Sequence, residues 1–92
     1  MNDKLSLKIF LVDRVIEVAD CDYITLAVSD DKNGGFSGSY GIRKGHAEAI
    51  ISVSEGKITA QKNGGIVFSA HTSSGFATIK KNVVSVTVDS IK

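Results

Sequence analysis

The residue with the clearest capacity for chemistry is His46, which lies between Gly45 and Ala47. An imidazole titrates near neutral pH and can serve as a general acid or base. A histidine in a glycine turn is also suited to a structural role, in which its ring nitrogens hydrogen-bond the surrounding chain. We predict the structural role, because it is the commoner one for a histidine in this setting.

Ser69, His71 and Asp89 contain the residue types of a hydrolytic triad. No nucleophile-elbow motif accompanies them, and such sets arise easily by chance in serine-rich strands. His71 lies on the polar side of an alternating segment, where we expect it to be solvated. The sequence therefore predicts no catalytic residue.

Two segments resemble ligand-binding motifs without completing them. Gly35, Gly38 and Gly41 recur every third residue, but they form neither GxGxxG nor GxxxxGK[ST], and no helix follows to bind phosphate. We interpret them as turn residues. Asp30-Asp-Lys-Asn-Gly-Gly35 begins like a calcium loop, yet it lacks the third ligand position and the terminal glutamate. Cys21 is the only cysteine and cannot complete a zinc site, so we predict no metal and no cofactor.

Composition narrows the class of protein further. The 92 residues carry 11 basic and 10 acidic side chains, a net charge of +1, and 42% are hydrophobic. The bases are scattered along the chain, which disfavours nucleic acid as a partner. No apolar run approaches the length of a membrane span or of a signal core, and a single cysteine fits a reducing compartment. We expect one domain over residues 1–92, without membrane insertion and in the cytoplasm.

Hydrophobic residues alternate with polar ones almost throughout the chain, whereas helical spacing is nearly absent. Turn-forming residues such as Asn33-Gly34, Glu55-Gly56 and Asn63-Gly64 separate the alternating segments. This pattern predicts an all-β fold, an antiparallel β-sandwich of about 8–10 short strands. The expected inward-facing residues are Leu5, Leu7, Ile9, Leu11, Ile24, Leu26, Val28, Ala47, Ala49, Ile51, Val53, Ile58, Ala60, Ile66, Phe68, Ala70, Val84, Val86 and Val88.

An ordered set of landmarks runs through the chain. Gly38-Ser-Tyr-Gly-Ile-Arg-Lys-Gly-His46-Ala47 is followed by an apolar segment and by Glu55-Gly-Lys-Ile58, and Ser74-Gly-Phe76 precedes a closing valine-rich strand. These landmarks resemble the signature of the epsilon subunit of F-type ATP synthases, which reads approximately Gly-Ser-Phe-Gly-Ile-Leu-Pro-Gly-His-Ala-Pro. The resemblance extends over nearly the whole N-terminal β-sandwich domain of that family.

The resemblance implies a non-catalytic rotor subunit of a bacterial ATP synthase driven by protons or sodium ions. Such a subunit links the gamma subunit to the ring of c subunits at the inner face of the plasma membrane, with no small-molecule substrate. The c-ring-facing loop is then expected at Gly38, Ser39, Tyr40, Gly41, Ile42, Gly45 and His46. Apolar residues on the polar side of their strands predict the gamma-docking face at Phe10, Val12, Ile50 and Val83.

Several features depart from the family pattern. Arg43-Lys44 replaces Leu-Pro before the Gly-His pair, and Glu48 replaces the proline after it. The sequence given ends at Lys92, where many family members continue into a regulatory helical hairpin, so we expect a non-inhibitory epsilon subunit. Two alternatives remain at this point. One is an unrelated β-sandwich adaptor, and the other is a small enzyme or ligand-binding barrel, which would need converging polar groups.

Overall fold

Alternation of apolar and polar residues folds this chain into β-strands, and a computed structural model describes residues 4–30 and 36–92, without the side chains of residues 30, 36 and 37. The described residues contain nine strands and no helix, and therefore no helix able to cross a membrane. The strands are β1 Leu5–Phe10, β2 Val15–Cys21, β3 Tyr23–Asp30, β4 Phe36–Arg43, β5 Ala49–Val53, β6 Gly56–Lys62, β7 Gly65–Thr72, β8 Gly75–Lys80 and β9 Val83–Val88.

The strands form two sheets. The five-stranded sheet has the order β2-β1-β9-β8-β5, and the four-stranded sheet has the order β4-β3-β6-β7. Neighbouring strands are antiparallel except for β1 and β9, the first and last strands, which lie side by side in parallel. The predicted antiparallel β-sandwich is therefore confirmed, with one parallel pair that the alternation pattern does not reveal.

The core lies between the two sheets and consists almost entirely of aliphatic side chains. Each fully buried leucine, isoleucine or valine contributes about 1.5–3 kcal/mol relative to an exposed side chain. Fifteen hydrophobic residues in the described part of the chain are buried: Leu5, Leu7, Ile9, Cys21, Ile24, Leu26, Ile42, Val53, Ile58, Ala60, Ala77, Ile79, Val84, Val86 and Val88. Most of them are residues that the period-2 pattern assigns to the inner faces.

Ile66 is a residue for which the predicted inward orientation is wrong. The pairing of β6 with β7 shifts register between Ala60 and Gln61, so that Phe68 lies opposite Ala60 while Ile66 lies opposite Gln61. The extra residue, Val67, turns the start of β7 outward, and both Ile66 and Val67 are exposed. A β-bulge therefore breaks the alternation that the sequence displays.

Strand β2 is not anticipated by the alternation pattern. Ile16 and Val18 pack against the core opposite Ile9 and Leu7, but the preceding Val15 points outward and is exposed. Strand β2 lies at the edge of its sheet, so its apolar residues are only half-buried and the contrast between its two faces is weak.

Candidate interaction surfaces

Every strand has one end at the same side of the sandwich, and the connections there form a continuous surface. It comprises Lys4 together with residues 20–22, 43–48, 62–65 and 80–82. We call this set the Arg43 end. The segment from residue 44 to residue 48 crosses from the four-stranded sheet to the five-stranded sheet, so it bridges the two sheets at this end of the core.

His46 holds this crossing segment in place through both of its ring nitrogens. Nδ1 lies 2.7 Å from the carbonyl oxygen of Ala47, and Nε2 lies 2.8 Å from the hydroxyl oxygen of Tyr40. A carbonyl only accepts, so Nδ1 carries the proton, and in the neutral ring Nε2 accepts a hydrogen bond from Tyr40. The ring also packs edge-on against Tyr40, with centroids 5.6 Å apart. These contacts are the ones expected of the structural histidine that the sequence predicts.

Gly45 joins the crossing segment to the β8–β9 turn. Its amide donates to Oδ1 of Asn82 at 2.8 Å, and the amide of His46 donates to the carbonyl of Arg43 at 3.3 Å. Gly45 has φ of 80°, a left-handed conformation that disfavours residues with a Cβ. The two connections therefore form one structural unit at this end.

The outer face of the four-stranded sheet carries a stack built on Gly41. The ring of Tyr23 lies across this glycine so closely that a Cβ placed on Gly41 would be 2.1 Å from the Tyr23 hydroxyl oxygen. The guanidinium of Arg43 lies 4.3 Å from the centroid of the same ring, within the range of a cation–π contact. Tyr23, Gly41 and Arg43, with Lys44, Gly45 and His46, line a shallow open cleft.

The residues of the predicted c-ring-facing loop do not form one loop, and their contact with a ring stays a prediction. Gly38, Ser39, Tyr40, Gly41 and Ile42 are consecutive residues of strand β4, whereas Gly45 and His46 alone lie in the connection. Ile42 is fully buried in the core, so its side chain cannot contact a partner. The Tyr23 ring above Gly41, and not a change in chain direction, accounts for a glycine here, because the φ of Gly41 is not positive.

Ion pairs at the Arg43 end centre on Asp20. Its carboxylate accepts a hydrogen bond from Nζ of Lys62 at 2.5 Å, and Nζ of Lys4 lies 3.9 Å away. The hydrogen bond from Lys62 is the main cause that lowers the pKa of Asp20, and the same bond raises the pKa of Lys62. Asp20 is a non-glycine residue with a positive φ, 61°. The pair therefore fixes a strained corner between β2 and β3.

The outer face of the five-stranded sheet presents a different surface. Register places one residue of each strand in a line across it, and none of the five is charged. This line, which we call the uncharged row, is Val15, Phe10, Thr87, Phe76 and Ser52 in the order β2, β1, β9, β8, β5. Val15, Phe10 and Phe76 are 54%, 38% and 50% exposed, and Ile50 beside the row is 81% exposed.

The structure brings together three of the four residues predicted for the gamma-docking face. Phe10, Ile50 and Val83 lie on the outer face of the five-stranded sheet, and Val83 is half-buried there. Val12 is exposed but lies in the turn after β1, beyond the sheet. Val15 and Phe76, which the prediction does not name, lie on the same outer face of this sheet. Phe76 could have been found from the alternation of β8, because it lies on the face opposite to that of the buried residues Ala77 and Ile79.

The remaining candidates for chemistry do not converge in the described residues. His71 lies 4.0 Å from Glu55 on the four-stranded side, whereas Asp89 follows β9 of the other sheet and its amide binds Ser73. The described part of the chain contains no cluster of residues able to hold a metal ion. The segment resembling a calcium loop falls largely on residues 31–35, outside the described residues. Cys21 is buried, which raises the pKa of its thiol.

Comparison with known proteins decides the family. Residues 4–92 match the family described as ATP synthase, Delta/Epsilon chain, beta-sandwich domain. This chain belongs to that family. Its membership excludes the unrelated β-sandwich adaptor that the sequence pattern left open. No curated protein matches the chain.

Two solved structures share this fold. A chain of the Euglena gracilis mitochondrial ATP synthase, solved as OSCP/F1/c-ring, superposes with a TM-score of 0.71 at 20% identity, over 100% of this chain and 54% of that one. A chain of the Tetrahymena thermophila mitochondrial ATP synthase central stalk/c-ring superposes with a TM-score of 0.70 at 11% identity, over 97% and 66% respectively. At these identities the likeness establishes the shared fold, and this chain spans about half to two thirds of those chains.

Proposed function

We propose that this chain is the epsilon-type subunit of the central stalk of a bacterial F-type ATP synthase, where it links the gamma shaft to the ring of c subunits. Family membership supports the assignment to ATP synthase. The two solved neighbours belong to assemblies whose descriptions name a c-ring, and one names the central stalk. The subunit would be peripheral at the cytoplasmic face of the membrane.

The uncharged row carries this proposal. A row of three exposed apolar side chains with a threonine and a serine crosses all five strands of one sheet. The Lys8–Glu17 ion pair lies one step along β1 and β2, and Asp13 and Asp89 lie just beyond the ends of β2 and β9. Clusters of exposed apolar residues mark protein–protein contacts. We assign this face to gamma, and extend the predicted docking face from Phe10 and Ile50 to include Phe76.

The Arg43 end supplies the second contact that a linking subunit requires. Strands run along the sheet face and stop at this end, so a partner at the end does not compete with a partner on the face. We assign the Arg43 end to the ring. The connections that form it are tied to the sandwich by the hydrogen bonds of His46, Gly45 and Asn82.

The mechanism that follows is mechanical. Two sheets joined by an aliphatic core form a unit that transmits rotation without absorbing it in soft internal motions. We expect no chemical step on this chain, since catalysis belongs to other subunits of the complex.

Binding to gamma tests the proposal. Titration calorimetry of the chain with the gamma subunit of the same genome should give a one-to-one complex. Phe76→Glu should weaken it by about 2 kcal/mol or more, because a truncated or charged aromatic at the centre of an interface commonly costs that much. The matched control is Ser69→Glu, an exposed residue on the outer face of the other sheet.

Equal affinity of the Phe76→Glu and Ser69→Glu variants for gamma would remove the assigned face. Absence of any complex between the unaltered chain and gamma would contradict the linking function itself. Circular dichroism of each variant separates these results from loss of folding.

A further inference from the structure

Some of the positively charged side chains of this chain lie beside a carboxylate, and others do not. The described residues include ten lysines and arginines. Five of them lie within 4.0 Å of a described carboxylate: Lys4, Lys8, Arg14, Lys62 and Lys92. Among residues 4–30 and 36–92 the other five have no such partner: Arg43, Lys44, Lys57, Lys80 and Lys81.

Four of the five unpaired cations lie together at the Arg43 end. Arg43 ends β4 and Lys44 begins the crossing segment, while Lys80 ends β8 and Lys81 begins the β8–β9 turn. All four are exposed, and the bond between Gly45 and Asn82 holds the two connections side by side.

The carboxylates at the same end do not balance these charges. Asp20 has Lys62 and Lys4 within 4.0 Å, and Lys44 interacts with its charge from beyond that distance. Asp22 accepts the amide of Asn63 at 2.7 Å. Glu48 lines the same depression as Lys80 but forms no ion pair within the described residues. The described part of this end thus carries six cations against three carboxylates.

One of the four cations is held in position before any partner binds. The guanidinium of Arg43 rests on the ring of Tyr23, which in turn rests on Gly41. A guanidinium fixed in this way loses little freedom when its donors bind a carboxylate.

We propose that the Arg43 end docks on a protein surface rich in carboxylates, and that this surface is formed by the polar loops of the ring. The proposal rests on the function proposed above, which places the ring at this end. Interfaces juxtapose opposite charges, and like charges brought together cost several kcal/mol. Four unpaired cations would be unfavourable against a basic or apolar surface, because burying a charge without a partner is costly.

The test measures binding of the chain to the detergent-purified ring of the same organism by biolayer interferometry. Lys44→Glu should weaken binding about tenfold, since it loses one attraction and adds a repulsion. Raising sodium chloride from about 50 mM to about 500 mM should weaken binding of the unaltered chain, because salt screens exposed charges. The matched control is Lys57→Glu, which reverses the fifth unpaired cation, on β6 away from this end, and should bind the ring within about twofold of the unaltered chain.

Each outcome has one meaning. Equal ring affinities for the Lys44→Glu and Lys57→Glu variants, with no effect of salt, would overturn the proposal. The proposal would also be overturned, in favour of a membrane surface, by a second result. In that result the chain binds vesicles of anionic phospholipid in a way that depends on Lys44, while its binding to the ring does not depend on Lys44. If the unaltered chain fails to bind the ring but binds gamma, the proposal and the ring contact of the proposed function are overturned while the gamma contact stands. If it binds neither, the proposed function fails as a whole.

Discussion

Two glycines of this chain, Gly41 and Gly75, are explained by neighbouring atoms that occupy the position a side chain would take. Gly41 occurs in the middle of a strand, where glycine is normally unfavourable, because the Tyr23 ring covers the position that a side chain would occupy. Gly75 is constrained more strongly. A Cβ at that position would lie 1.9 Å from the backbone carbonyl oxygen of Thr87.

These two glycines should respond differently to the same substitution. Gly41→Ala should lower the free energy of unfolding by about 1–2 kcal/mol, since the Tyr23 side chain can turn away. Gly75→Ala should cost about 3 kcal/mol or more, because a backbone carbonyl cannot move without shifting β9. Urea denaturation measures both values, and a Gly41→Ala/Tyr23→Ala double-mutant cycle should show coupling between the two residues. Equal costs at the two positions would contradict this reading.

The ion pair of Asp20 predicts a dependence of stability on pH. The folded-state pKa of Asp20 lies below its ordinary value, so the unfolded chain takes up protons first as pH falls. The contribution of this group is complete above about pH 4 and is lost as pH falls from there through the lower folded-state pKa.

Asp20→Asn isolates this contribution, because asparagine tolerates the positive φ of the corner. Urea midpoints of the unaltered chain should decline more steeply than those of the variant below about pH 4. Glu55, whose pKa is lowered mainly by its hydrogen bond with Lys92, leaves a residual slope in both proteins. Parallel curves would show that Asp20 contributes nothing to acid stability.

At the scale of elements, the Tyr40–His46 hydrogen bond is one of the side-chain contacts that hold the crossing segment between β4 and β5. The Tyr40 hydroxyl bonds Nε2 of His46, whereas the Tyr23 hydroxyl has no hydrogen bond to the described residues. Tyr40→Phe should lower the free energy of unfolding by about 0.5–1.5 kcal/mol and speed hydrogen exchange of the Gly45 and His46 amides.

Tyr23→Phe is the matched control for this prediction. It removes a hydroxyl while keeping the ring that supports Arg43, so exchange in the segment should stay unchanged. Equal exchange rates in the two variants would show that the Tyr40–His46 bond does not hold the segment.

Most strands could be predicted from the sequence because their burial is one-sided. Strands β1 and β9 alternate cleanly, since one face of each lies against the core. Strand β2 is not evident from the sequence because it lies half-buried at a sheet edge, and the bulge at Val67 is set by the pairing of β7 with β6. Gly38 to Ile42 resembles a turn because it contains two glycines. Only the tertiary contact with Tyr23 shows why a strand contains Gly41.

The candidate surfaces were predicted less completely, for a related reason. The alternation of each strand identifies the side chains that point away from the core, and it correctly assigned Phe10 and Ile50 to an outer face. It cannot show that Phe76 and Val15 fall in line with Phe10, because that alignment depends on the strand order and on the parallel pairing of β1 with β9. The separation of paired from unpaired cations likewise requires the three-dimensional arrangement.

At the scale of the whole molecule, the sandwich has two chemically different surfaces, and we propose a separate partner for each. The uncharged row lies on a sheet face, and the unpaired cations lie at the strand ends. We expect substitutions on the two surfaces to act independently. Phe76→Glu should weaken gamma binding and leave ring binding unchanged, Lys44→Glu should do the reverse, and the double variant should show both losses additively. Binding titrations with each partner separately measure this, and strong coupling would contradict two separate sites.

The central claim is that one copy of this chain joins gamma to the ring. Native mass spectrometry of the chain coexpressed with gamma and the ring subunit tests it most directly. The account predicts a single species containing one ring, one gamma and one copy of this chain. Several copies of the chain on one ring, or only separate complexes of the chain with gamma and with the ring, would contradict it.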